Sequence, residues 1–447
     1  MKKKYLLISS IVLFASIIIV AVSFSAKKSF TDAPEVVLDA PAAQQVTSEF
    51  QRTKTAIDQL KEKLTINPSD QKSKLLLSLA YIQAARLTGE HPFYYPMALK
   101  LSDEVIQENL FKDNALAYEA MVAKSSIQLS LHDFKGALIT GKQALSLRSD
   151  NAAIYGVLCD ANVELGDYNE AVKMSDKMVS IRPDIRSYSR ISYLREIFGD
   201  RKGSLQAMTM ATSAGMPGLE QTEWARTNLG QLYEKSGDLI NAEIHYKTAL
   251  QHSPNYSFAM AGLARVEAKK KNFDKALVLL NNAAQQIPEF SFHEQIAELY
   301  RYTNKKEEGI KKAKEVLVML QEDADAGHNS DLEFAILYAT LLDNYDEGLR
   351  FAMKEYARRP LNIDVCKALA YIYYKKNDFR SASLFMSKAL RTNKQEADLL
   401  CLSGMINYKN GQKEDGLKRI KKGLAMDPYS YSSVMLEAKS YLTEGTI

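Results

Sequence analysis

The chain of 447 residues is short of the residue types that most often carry chemistry: three cysteines, six histidines and one tryptophan. Cys159, Cys366 and Cys401 are far apart in apolar runs, an odd count with no CxxC pair, which excludes a disulfide framework and a zinc-ribbon site. They read as three small buried side chains, with a Cys366–Cys401 bridge between neighbouring repeats the less favoured alternative. His91, His132, His245, His252, His293 and His328 form neither HxxxH nor HExxH, and no GxxxxGK[ST] or GxGxxG loop is present. His245 and His252 are seven apart, two ligands where a closed zinc site needs four. No catalytic constellation and no cofactor site follow from such a set, so the chain reads as a non-enzyme.

Excess charge is also missing from most of the chain. The net charge is +4, but residues 1–30 hold Lys2, Lys3, Lys4, Lys27 and Lys28 and no acid, leaving 53 basic against 54 acidic side chains. A near-neutral body lacks the basic stripe on which nucleic-acid binding rests. Tyr5 to Phe24 carries no charge. Twenty residues at about 1.5 Å each reach about 30 Å, the thickness of a bilayer core. We expect a signal anchor or transmembrane helix over 1–28, the alternative being secretion after cleavage at Ser23-Phe24-Ser25. The lysine bias keeps the N-terminus cytoplasmic and places the rest on the extracytoplasmic, periplasmic or cell-surface side; a cytoplasm-facing arrangement is the other alternative. Residues 29–46, with Pro34 and Pro41 among alanines and acids, read as a flexible tether.

What is abundant is repetition. Leu229-Gly230, Tyr233, Gly237-Asp238, Ala242, Tyr246, Ala249-Leu250 and Pro254 return 34 positions later as Leu263-Ala264, Asn272-Phe273, Ala276, Leu280, Ala283-Ala284 and Pro288. From Ser48 onward the periodicity is helical, in pairs joined by short turns. The turns recur at His132-Asp133, Gly166-Asp167, Gly199-Asp200, Gly237-Asp238, Asn272, a degenerate Asn304-Lys305, Asn344-Tyr345, Asn377-Asp378 and Asn410-Gly411. Small residues are needed where helix backbones come closest, and a turn aspartate can cap the following helix. Leu75 to Asn109 reads as a repeat with an insertion at Thr88–Pro96, Thr53 to Pro68 as a lone second helix, and residues 431–447 as a polar capping helix. The spacing predicts nine to ten units over 47–430.

These motifs resemble the tetratricopeptide repeat (TPR) family over roughly residues 48–430. The resemblance implies an all-α solenoid, a right-handed superhelix of helical hairpins whose first helices line a concave groove for a protein or peptide partner. The block Arg186–Glu196 is similar to a subgroup of exported or membrane-anchored bacterial repeat proteins of unassigned role. Arg186 and Arg190, four apart on a first helix, can face one partner carboxylate, with Ser189 and Tyr193 beside them. In the family such a carboxylate is held by basic residues and asparagines, and Asn228 matches an asparagine position one repeat on. Glu119, Val122, Gly156 and Asp160 stand where the remaining clamp residues would be, so a full clamp is not expected. The alternative is that Arg190, Arg195 and Glu196 form an internal network bracing adjacent repeats. Trp224 is either a packing residue or an aromatic anchor. Arg265, Lys367 and Tyr374 complete the candidate set, with Tyr374 and Tyr408, 34 apart, as a tyrosine ladder in the groove or the ordinary edge of stacked helices. The function expected is therefore a membrane-tethered adaptor, with an accessory subunit or small-ligand (glycan) receptor using Arg186, Arg190 and Tyr193 as the alternative.

Overall fold

A computed structural model describes residues 48–444, and every regular element among them is an α-helix. Ten helical hairpins run from Gln71–Thr88 with His91–Asn109 to Ala397–Lys409 with Lys413–Met426, between flanking helices Ser48–Ile66 and Ser433–Glu444. First helices of successive hairpins approach each other as well as their own partners, and do so more closely than neighbouring second helices, so the first helices form the inner wall. Among the described residues no helix is long and apolar enough to cross a membrane. The span expected at Tyr5–Phe24 and the tether at 29–46 lie outside them.

The hairpin turns follow from local chemistry. A residue with positive φ closes the first helix, and the next residue takes the N-cap position of the second; at Asp133, Asp167, Asp200, Asp238, Asn344 and Asp378 its side chain closes the cap. Asp133, Asp200 and Asp378 accept the backbone N–H of Gly136, Gly203 and Ser381 at 2.9, 2.9 and 3.0 Å. Small residues sit where a large ring must fit: Tyr246 is fully buried between Gly230 and Gly262, where an added Cβ would come within 2.7 Å of its ring. The expected insertion at Thr88–Pro96 is not a loop. Only Gly89 and Glu90 leave the helices, and the extra residues lengthen the pair instead. Pro92 stands in the first turn, where its missing N–H costs nothing, and Pro96 forfeits a single bond.

The solenoid also winds onto itself. The turns of hairpins one to five dock against the loops that follow hairpins six to ten, about 195 residues later. Gly89 lies against Ile287–Pro288, Gly166 against Leu361–Asn362, Gly199 against Asn393, and Gly237 against Met426 and Pro428. These contacts form rungs, numbered by hairpin. In the second, between the turn of hairpin two and the loop after hairpin seven, the Asn329 N–H donates to Leu131 O at 3.0 Å, and the His132 and His328 rings meet edge-on at 4.2 Å. The third rung is the most elaborate. Arg359, 5% exposed, pairs with Glu164 and lies over the Phe134 ring, while Asn362 Nδ2 donates to Glu164 O at 2.9 Å. The Ile363 N–H donates to Tyr168 Oη at 3.0 Å, and Arg391 donates to Gly166 O. Lys269 reaches Asp427 at 2.7 Å near the fifth rung. The result is two stacked superhelical turns joined by a seam, rather than one open coil.

Candidate binding cavity

Two adjacent first helices supply most of the candidate residues. Ile185–Ile197 begins at Asp184, whose side chain accepts the Ser187 N–H while Ser187 Oγ accepts the Asp184 N–H, a reciprocal cap that sets the helix start. Arg186, Ser189, Arg190 and Tyr193 then share its inner face. On Glu220–Glu234 the spacing of three, four and three puts Gln221, Trp224, Asn228 and Gln231 on one face. These residues border a cavity of 660 Å³, completed by Asp160 and Glu164 of Ala152–Leu165 and by Arg86 from the end of Gln71–Thr88.

Six of the nine candidates thus meet in one place: Arg186, Ser189, Arg190, Tyr193, Trp224 and Asn228. The two arginines do not converge on a shared carboxylate. Arg190 makes a two-pronged pair with Asp160 at 2.8 and 2.5 Å and bonds Arg186 O at 3.1 Å. Burial alone would lower its basicity, but the Asp160 charge and hydrogen bonds more than offset that. Asp160, a departure from the family clamp, therefore takes the place a partner carboxylate would have. Arg186 makes only a 3.2 Å contact to Asp184 and is half-exposed. Glu196 pairs with Lys235 of the next hairpin at 2.7 Å and Arg195 with Asp200 at 3.2 Å, so part of the block braces repeats. Trp224 and Tyr193, 43% and 40% exposed, present their rings to the cavity rather than to the core.

The other three candidates lie elsewhere. Arg265 is held by Glu234 at 3.0 Å, Tyr246 Oη at 3.2 Å and Gln295 at 3.3 Å, and Lys367 by Glu396. Tyr374 is 4% exposed, its hydroxyl donating to Glu437 at 2.6 Å and meeting Tyr441 Oη at 2.7 Å. The tyrosine ladder is thus a seat for the last helix and not a groove surface: Ser433–Glu444 folds over it, and Tyr408 meets Tyr441 edge-on at 5.0 Å. His252 is bound to buried Glu223 at 3.0 Å and His245 stacks on Tyr233. All three cysteines are buried and free.

Sequence reasoning missed Arg86, Glu220, Gln221 and Gln231. The two glutamines share the three-four spacing of Trp224 and were legible on that ground. Arg86 was not, because only the winding of the superhelix brings it to helices more than ninety residues away. Several carboxyls here and further along the chain are raised, Glu220 of the cavity among them. Burial and neighbouring carboxylates raise Glu294 to about 8. Glu333 rises to about 7 and Glu220 to about 7, burial leading in both.

Residues 225–256 match the family model described as tetratricopeptide repeat. No curated protein matches the chain. Among solved structures, TTC0263, a thermophilic TPR protein in Thermus thermophilus, is similar at 20% identity, covering 46% of this chain and 99% of its own, with a TM-score of 0.37. A human IFIT1 dimer with PPP-AAAA is similar at 14% identity, with 76% and 79% covered and a TM-score of 0.47. The hetero-tetramer Cut9-Hcn1 is similar at 12% identity, with 87% and 93% covered and a TM-score of 0.37. The segment 225–256 is thus a tetratricopeptide repeat, set within the array of helical hairpins.

Proposed function

We propose that this tetratricopeptide-repeat protein is a scaffold that holds a segment of a protein partner in the cavity between Ile185–Ile197 and Glu220–Glu234. The observation that carries the reading is the side of Trp224 left uncovered. A core tryptophan buries its ring, whereas this one presents it to a concave wall beside the half-exposed Arg186 and the amides of Gln221, Asn228 and Gln231. An aromatic anchor among polar groups that can pair with a backbone is the usual make-up of a binding centre. The near-neutral body favours a protein over a nucleic acid.

Capture of partners from an extract by the full chain, compared with Trp224→Ala and Arg186→Ala, tests this. We expect both variants to fold and Trp224→Ala to lose the captured set; an unchanged set would rule the cavity out. The cavity volume also suits a saccharide-sized ligand. In that case an oligosaccharide, and no protein, would quench or shift Trp224 fluorescence. We further propose that the charge-free run Tyr5–Phe24 tethers the scaffold to a membrane with the repeats on the extracytoplasmic side. Reporter fusions at Ile447 test the orientation, and activity of a cytosol-only reporter would reverse it.

A further inference from the structure

We infer that the seam between the two superhelical turns is a reversible latch, and that the interior cavity is loaded while the latch is parted. The first ground is what the seam is made of. Its contacts join turns, helix ends and loops, with helices His91–Asn109 and Lys306–Asp325 also touching: Leu131 O with Asn329 N–H, His132 with His328, Glu164 with Arg359 and Asn362, Tyr168 with Ile363 N–H, and Gly166 O with Arg391. Parting them breaks no hydrogen bond within any helix and separates no hairpin from its neighbour. In a solenoid each unit is stabilised by its own fold and its nearest neighbours. Opening the seam therefore costs only the cross-turn contacts, while the repeats stay folded. Many of those contacts are polar, and Ile363 seats an apolar side chain in the core of the earlier turn.

The second ground is that the seam and the cavity share residues. Glu164 lines the cavity and receives Arg359 across the seam; Asp160, also in the cavity wall, holds Arg190. Arg86 closes the cavity from the first hairpin, whose own turn at Gly89 is pinned to Pro288 of the second turn. A partner that draws on Glu164 competes with Arg359, so occupancy and closure are linked through one carboxylate. The loading half rests on the reading of the cavity as the partner site; the latch itself does not.

The amides of Asn329 and Ile363 report on the latch directly, because each donates to an acceptor on the other turn. Native-state hydrogen exchange of the full chain should show both exchanging at least about tenfold faster than the helix-interior amide of buried Leu369. Arg359→Ala should speed both about tenfold more, leave Leu369 unchanged, and raise acrylamide quenching of Trp224, the sole tryptophan. Should Arg359→Ala lose helical circular dichroism, Glu164→Gln, which keeps the shape and removes the charge, makes the same test. Exchange of Asn329 and Ile363 no faster than Leu369 would overturn the latch. Faster exchange with unchanged Trp224 quenching would overturn loading through it. Either result stands apart from partner capture by Trp224→Ala, which probes the cavity alone.

Discussion

Gly166→Ala is the sharpest probe of the seam, because the chain contains its own control. Gly166 and Gly411 both close a first helix with positive φ, +84° and +87°. A Cβ at Gly411 would meet nothing within 4 Å, whereas one at Gly166 would lie 2.8 Å from Asn362 N and closer still to the Leu361 carbonyl. Gly411→Ala therefore carries only the backbone cost of a left-handed alanine, about 1–2 kcal/mol. Gly166→Ala carries the same cost and must also push the 361–362 backbone away. Overpacking typically costs about 1–3 kcal/mol, and displacing the Asn362–Glu164 and Ile363–Tyr168 hydrogen bonds adds about 1 kcal/mol each. If the seam gives way instead, the cost is capped at whatever the cross-turn contacts contribute. The two variants should differ by about 3–5 kcal/mol, and by less where the seam gives way. Urea titrations followed by circular dichroism, run side by side, read the difference in midpoint. Repeat arrays need not unfold in one step, so the Ile363 amide should be followed by hydrogen exchange in the same samples. Equal midpoints and equal Ile363 protection in the two variants would refute the two-turn architecture.

The raised interior carboxyls make stability depend on pH. The folded state keeps the proton on Glu294 up to about 8 and on Glu333 up to about 7, whereas the unfolded chain releases both near 4.5. These two groups hold more protons in the native state across that window, so their contribution to stability falls as pH rises, while the histidines that burial holds below 6.5 act in the opposite sense up to about that pH. Thermal melts between about 6.5 and 8 should show the decline, and Glu294→Gln/Glu333→Gln should flatten it; an unchanged slope would count against the assignment. Tyr246→Phe removes a buried hydroxyl that donates to Glu234 at 2.8 Å and accepts from Arg265 at 3.2 Å, and should cost about 1–2 kcal/mol in urea unfolding. Tyr246→Ala also empties the space against Gly230 and Gly262 and should cost about 3–5 kcal/mol. In double-mutant cycles the two-pronged Arg190–Asp160 pair should couple by about 1 kcal/mol, and the exposed Arg186–Asp184 pair by less than about half of that.

Much of this architecture was legible in the chain. The 34-residue echo, the Gly-Asp turns and the small residues at Gly230 and Gly262 specify helical hairpins, because capping, positive φ and close helix packing are local requirements. The 3.6-residue period was enough to place Arg186, Ser189, Arg190 and Tyr193 on one face and Trp224 and Asn228 on the next. The same period could have added Gln221 and Gln231. A trace of the seam was present too. Hairpins one, three, four and five turn on Gly89, Gly166, Gly199 and Gly237, while hairpins six to nine place Lys271, Asn304, Asp343 and Asn377 at the equivalent positive φ. Glycine thus stands at four of the five turns that another turn presses against, His132 being the exception, and at Gly411 in open space, whereas hairpins six to nine use lysine, asparagine and aspartate.

The partners of those residues were decided by tertiary structure. Nothing local joins Arg359 to Glu164, brings Arg86 to Trp224, or buries Tyr374 beneath Glu437 and Tyr441. Small rotations between successive hairpins accumulate over about 195 residues until one turn meets the next. Local sequence dictates each rotation only loosely, and contacts at such a separation depend on the sum of all of them. The sequence by itself therefore determined the repeating unit and the inner face; only the winding decided which inner residues remain open to a partner.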